Sequence, residues 1–309
     1  MNKPFLFFIL ITLSIDVFAQ KTGFSKTPEF NPVDFSLVEI SGFAGDKIDL
    51  CINEQIKKQD IEHLIEPFRN KTETRLWQSE FWGKWMLSAV DAWKYKHDGQ
   101  LMKTMQTAVA SLLETQLENG YIGNYAPASQ LEHWDIWGRK YSMLGLIRYF
   151  EISGDENALT AAQKVADHLL SQVGPGKKDI TFTGNYHGMA SSSVLEPIVY
   201  LYNHTGEKRY LDFAEYIVKQ WETADGPKLI SKALNDIPVA ERFPHPEVWW
   251  SRENGQKAYE MMSCYEGLLQ LYLVTGTPQY LEAVKKTAEN IIETEINIAC
   301  SGSAFECWY

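Results

Sequence analysis

The stretch Leu146-Ile-Arg-Tyr-Phe-Glu-Ile-Ser-Gly154, followed by Asp-Glu-Asn-Ala-Leu159, recurs twice more with variation. Ile198-Val-Tyr-Leu-Tyr-Asn-His-Thr-Gly206 leads into Glu-Lys-Arg-Tyr-Leu211, and Leu268-Leu-Gln-Leu-Tyr-Leu-Val-Thr-Gly276 leads into Thr-Pro-Gln-Tyr-Leu281. Each copy reads as a helix end, a glycine suited to the left-handed position that closes it, a short link, and the start of another helix. Outward from these units, apolar residues recur at three and four, as in Leu211, Ala214, Ile217, Val218 and Trp221. The same spacing predicts helices over 76–95, 101–116, 141–151, 158–172, 194–203, 210–222, 258–275 and 280–296. Strand-type alternation is confined to short stretches such as 37–40 and 180–182. The three glycines are unevenly spaced, so the return connections vary in length, unlike a rigid solenoid. The expected fold is all-α: helical hairpins with short links at one end and long variable loops at the other, an α/α toroid. An open solenoid is the alternative.

Long loops on such a scaffold carry function. One runs from Gly120-Tyr-Ile-Gly-Asn-Tyr125 to Trp134-Asp-Ile-Trp137, a second is Thr183-Gly-Asn-Tyr-His-Gly-Met189, and a third, 236–255, holds Trp249-Trp250. Trp134-Asp-Ile-Trp-Gly-Arg-Lys-Tyr141 brings two indoles, a carboxylate and two cations to a loop-to-helix junction. Flat rings cover the apolar face of a sugar while charged groups bond its hydroxyls. Trp134, Asp135, Trp137, Lys140 and Tyr141 are therefore candidate substrate-binding residues. Asp135 also has a structural reading, as the cap of the helix that follows. His187, near two glycines, is either a hydroxyl ligand or a loop-packing residue, and Trp77, Trp82 and Trp85 fall at the helical spacing of a core face.

The 309 residues carry a net charge of −11, which argues against nucleic acid or an anionic membrane surface as partner. Asn2 and Lys3 precede an apolar run from Phe5 to Leu13, and Val17-Phe-Ala19 offers small residues ahead of Gln20. This is the pattern of a secretory signal peptide over residues 1–19, predicting an exported protein, periplasmic or secreted, with no membrane insertion after cleavage. Residues 20–55 are expected to be an extended segment packed on a helical domain formed by 56–309. Cys51, Cys264, Cys300 and Cys307 are too few and too scattered for a disulfide framework and form no zinc motif, which leaves buried or free thiols, or a bridge such as Cys300–Cys307.

The terminal Ser301-Gly-Ser-Ala-Phe-Glu-Cys-Trp-Tyr309 places a Glu behind small residues and among aromatics, where desolvation can turn a carboxyl into a proton donor. Taken with Phe81-Trp-Gly-Lys-Trp85, Gln116-Leu-Glu-Asn-Gly-Tyr-Ile-Gly123, 134–146, Gly188-Met-Ala-Ser-Ser-Ser193 and Tyr259-Glu-Met-Met-Ser-Cys-Tyr-Glu-Gly267, this ending resembles the β-L-arabinofuranosidases of glycoside hydrolase family 127. The resemblance runs from about Val38 to the C-terminus. It implies an (α/α)6 barrel, here expected to be incomplete, and a retaining glycosidase acting on oligosaccharides or polysaccharides of plant type. It also implies a zinc-bound Cys nucleophile and an acid/base Glu, whose position Glu306 matches. Tyr141 and Ser191 stand near positions where the family's pocket carries His, which makes Ser191 a further candidate for substrate binding.

The zinc ligands implied by the resemblance have no counterpart in these residues and would lie beyond Tyr309, so no cofactor is assigned within this chain. Taken alone, the chain is expected to lack turnover, with Glu306 frayed near the terminus. Two rivals stand beside this reading. One is a metal-independent toroid hydrolase of the unsaturated glucuronyl hydrolase type, using an Asp135 exposed in the cavity. The other is a non-catalytic glycan-binding relic.

Overall fold

Helices ending at Gly154, Gly206 and Gly276 give the computed structural model its repeat. All three glycines adopt φ near +70°, and each donates its N–H to the carbonyl four residues back, at 2.8 Å from Phe150, Tyr202 and Tyr272. The structure describes residues 33–244, 256–303 and 306–308. The signal peptide at 1–19 and Trp249-Trp250 lie outside the described residues.

The α-helices are α1 (Gly42–Cys51), α2 (Ile61–Asn70), α3 (Glu80–Lys96), α4 (Gly99–Leu113), α5 (Asp135–Ser153) and α6 (Glu156–Gln172). They continue with α7 (Met189–Ser192), α8 (Leu195–Thr205), α9 (Lys208–Trp221), α10 (Leu229–Leu234), α11 (Ala258–Thr275) and α12 (Pro278–Thr294). Four hairpins, α3/α4, α5/α6, α8/α9 and α11/α12, form the body. Their first helices pack in succession, α3 on α5, α5 on α8 and α8 on α11. This is an all-α arrangement of toroid type, as the repeat predicts. The inner helix α5 is buried nearly all round, including Arg139 and Lys140, whereas the outer helix α9 buries one stripe through Tyr210, Phe213, Ala214, Ile217 and Trp221.

Two expectations change. Of the stretches read as strand-like, 180–182 is the 3-10 turn Ile180–Phe182, 37–40 starts at the end of another, Phe35–Leu37, and the described residues form only isolated β-bridges. Short apolar runs do not separate strand from turn by periodicity. The segment expected to be extended over 20–55 holds α1 and a π turn at Ile52–Ile56 within its described part. Among the described residues no helix is long and apolar enough to cross a membrane.

The closest helix contact positions the site. Cβ atoms added at Gly83 of α3 or Gly138 of α5 would overlap the Tyr141 carbonyl and the Ser79 hydroxyl respectively, and one at Gly145 would lie 2.6 Å from the Trp82 ring. These glycines let α3 and α5 approach until Trp82 and Met86 are fully enclosed. Gly83→Ala is expected to cost about 1–3 kcal/mol through overpacking against backbone that has nowhere to retreat. Urea denaturation measures it, and an unchanged midpoint would show that the two helices can separate freely.

Candidate functional site

A cavity of about 730 Å³ opens at the loop-rich end, between the N-terminal ends of α3, α5 and α11. Five segments bring its lining together. The loop before α3 is tied down by Glu73, whose carboxylate accepts from the N–H groups of Thr74, Arg75 and Leu76 at 2.8–2.9 Å. The Tyr125 hydroxyl donates to the Leu76 carbonyl at 2.9 Å and accepts from the Trp134 N–H at 3.1 Å, which fixes Trp77 and Trp134 on one wall. Trp134 then meets Trp77, Trp137 and Tyr186 edge to face, at centroid distances of 6.2, 5.7 and 5.8 Å.

Three carboxyls face these rings, namely Glu80, Glu260 and Glu306. Glu80 opens α3, accepts from the Trp137 indole and pairs with Lys84 at 2.8 Å. Lys84 in turn lies over the rings of Tyr141 and Tyr259, at 5.1 and 4.8 Å. Glu306 pairs with the buried Lys257 at 2.8 Å. The backbone around it is held as well: Ala258 N–H donates to the Glu306 carbonyl at 2.8 Å and Trp308 N–H to the Gln256 carbonyl at 3.0 Å. Cys307 and Trp308 are buried beside the start of α11. The expectation of a frayed Glu306 is thus corrected. Pairing with 256–258 orders the segment, although the Glu306 side chain remains 63% exposed.

Glu260, in the first turn of α11, is 3% exposed, and its Oε2 lacks a hydrogen-bond partner among the described residues. Burial raises its carboxyl to about 7, helped by Glu306 and Glu80 and opposed chiefly by Lys257. Lys257 is pulled down by burial, but its pairing with Glu306 and the field of Glu260 lift it above its ordinary value.

The candidates read from sequence divide cleanly. Trp134, Trp137 and Glu306 line the cavity. Tyr141 lies one layer below, hydroxyl to hydroxyl with Tyr259, and its phenol is pushed far up by burial. Lys140 is buried over the Trp137 and Tyr141 rings at 4.8 and 5.1 Å, with Glu196 3.9 Å away; burial pushes the lysine down and the glutamate up.

Asp135 is displaced from its expected place in the cavity. Its side chain is fully enclosed, accepting from Tyr121 Oη at 2.7 Å, Leu131 N–H at 2.8 Å and Arg139 at 2.6 Å. It sits within the first turn of α5, and its carboxylate clamps the preceding loop. His187 leaves the cavity too. It stacks on Phe243 at 5.4 Å, and burial, then Lys232, push its imidazole below its ordinary value. Its neighbours Asn185 and Tyr186 take the cavity side. Ser191 is buried in α7 against Gly184, away from the lining. Trp82 and Trp85 join the core as their spacing predicts, but Trp77 precedes α3 and lines the cavity.

The described residues do not assemble a zinc site, since no three His, Cys, Asp or Glu side chains come together as ligands. Cys51, Cys264 and Cys300 form no disulfide. Cys264 is sealed beneath the floor, donates to the Met189 carbonyl at 3.3 Å, and is held protonated by burial.

Fold and cavity define a class: a helical toroid with an aromatic, carboxyl-bearing cavity at its loop end. Residues 45–228, more than half of the chain, match the catalytic domain of the β-L-arabinofuranosidases of glycoside hydrolase family 127, and the chain belongs to that family. A non-reducing end β-L-arabinofuranosidase of Bifidobacterium longum is 26% identical over 148 residues, covering 44% of this chain and 22% of the relative. Among solved structures, a family 127 β-L-arabinofuranosidase from Geobacillus stearothermophilus T6 aligns with a TM-score of 0.63 at 18% identity, over 86% of this chain and 47% of that one. A second family 127 β-arabinofuranosidase gives 0.61 at 19%, over 88% and 45%. At such identities these likenesses establish the fold. The chain spans less than half the length of each of these relatives.

Proposed function

We propose that this chain is the helical catalytic region of an exported glycoside hydrolase of the β-L-arabinofuranosidase type, acting on terminal arabinofuranose or a similar sugar of plant-type glycans. The observation that carries the reading is the joining of stacked indoles to carboxyls in one cavity, with Glu306 held there by Lys257. Rings desolvate and orient a sugar, and a carboxyl beside it is placed to protonate a leaving oxygen. The rival that used Asp135 loses its geometric support, because that carboxylate is enclosed and triply bonded. Export is inferred from residues 1–19 by their pattern alone.

The test is binding followed by tryptophan fluorescence. An aryl β-L-arabinofuranoside should perturb the cavity indoles, and Trp134→Ala should weaken binding roughly tenfold or more, as removal of an aromatic platform does. Unperturbed fluorescence at millimolar arabinoside, with clear binding of a different sugar class, would replace arabinofuranose in this reading.

A further inference from the structure

Glu260 has no role in the sequence reading, yet it is the most unusual polar group on the cavity wall. It lines the cavity, is nine-tenths or more enclosed, and keeps one oxygen without a partner among the described residues. The other two carboxyls are already engaged, Glu80 by Trp137 and Lys84, and Glu306 by Lys257. A buried polar atom left unsatisfied costs about 1–3 kcal/mol, a cost that a ligand group can remove on binding.

We propose that Glu260 is a protonated ligand contact: its neutral carboxyl donates a hydrogen bond to a hydroxyl oxygen of the bound sugar at the cavity floor. This rests on the glycan reading above and adds to it a recognition residue gated by a proton. A neutral carboxyl is one donor, and a sugar hydroxyl is the acceptor that a cavity walled by indoles and a phenol would deliver to it. Charged and titratable groups face Glu260 from every side. They are Lys257 and Cys264 along the α11 segment, Glu80 from α3, Lys140 from α5, Tyr186 from the 183–189 loop, and Glu306 from the terminal segment. Lys257 favours the ionised form, while burial, Glu306 and Glu80 favour the neutral one and prevail. With the carboxyl raised to about 7, the donor is present below that pH and lost above it. A hydrogen bond to the neutral form raises the value further in the complex. Sugar affinity is therefore full at acid pH and falls as pH rises through the free-state value.

Fluorescence titrations of the whole chain with an aryl β-L-arabinofuranoside and with a neutral hexopyranoside, at about pH 6 and about pH 8.5, test this. About tenfold weaker binding at the higher pH is expected. Glu260→Gln keeps a donor without a titrating proton, so its affinity should stay near the acid value at both pH values. Glu260→Ala should bind weakly and equally at both, with circular dichroism reporting whether each variant folds. A fall with pH that persists in the Gln variant assigns the effect to another group and overturns the inference. A pH-independent wild type overturns it as well. The fall seen with the hexopyranoside alone keeps Glu260 in its role and overturns arabinofuranose as the substrate. Binding of neither sugar overturns the Glu260 contact itself.

Discussion

Asp135→Ala is expected to destabilise the fold by about 3–5 kcal/mol, the loss typical of breaking a buried ion pair by removing one partner. Both side chains of the Asp135–Arg139 pair are fully enclosed, 2.6 Å apart. Arg139 stacks at 4.6 Å on Tyr121, whose hydroxyl also bonds Asp135, and reaches Gln172 at 2.7 Å. Without the carboxylate, a guanidinium is stranded in the interior, and the Leu131 N–H and Tyr121 hydroxyl lose their acceptor. The damage spreads to the loop ahead of α5, which carries His133 and Trp134 into the cavity.

Urea denaturation of the single variants and of Asp135→Leu/Arg139→Met separates the effects. The double variant should be less destabilised than Asp135→Ala alone, because no charge is left unpaired. Folded Asp135→Ala should retain sugar affinity within about a factor of ten, since the residue does not touch the cavity. Near-wild-type stability together with lost sugar binding would return Asp135 to the site and revive the metal-free toroid hydrolase.

The helical architecture was legible because it depends on signals that tertiary context rarely overrides. The closing glycines at 154, 206 and 276 and the one-sided stripe of α9 are local features, and each appears in the structure as read. The site was legible only where composition is odd. Paired indoles beside a loop marked Trp134 and Trp137, but their neighbours Asp135, Lys140 and Tyr141 could not be sorted by spacing. Helix α5 begins six residues earlier than its apolar pattern suggests, and it is buried on all faces, so no polar face exists to distinguish. Glu80, Lys84, Lys257 and Glu260 were missed because they converge from segments distant in sequence. One signal was available: Glu260 stands four residues before Cys264 and eight before Leu268, on the apolar face of α11. A charge on such a face calls for an explanation of the kind a cavity gives.

Residues 20–309 alone are expected to give no measurable turnover of an aryl β-L-arabinofuranoside, with or without zinc. Cleavage with retention needs a proton donor and a nucleophile on opposite faces of the anomeric carbon. Glu306 suits the first role by its place in the cavity. The described groups are poorly disposed for the second. Glu80 already accepts from an indole N–H and pairs with an ammonium, so its oxygens are engaged. Glu260 is enclosed beside two other carboxyls, and burial and both of them favour its neutral form, raising it to about 7. The Cys264 thiol is enclosed, raised far above its ordinary value, and already donates to a backbone carbonyl; a thiol reacts as its thiolate. Binding without cleavage is the combination these groups support, so fluorescence should report the arabinoside while chromogen release stays at background. Glu306→Gln is the decisive control. Release that the Gln variant reduces by about 10²–10⁴-fold would identify Glu306 as the general acid of a chain already equipped to react. One of Glu80, Glu260 or Cys264 would then have to be the nucleophile, and single substitutions at those positions would show which.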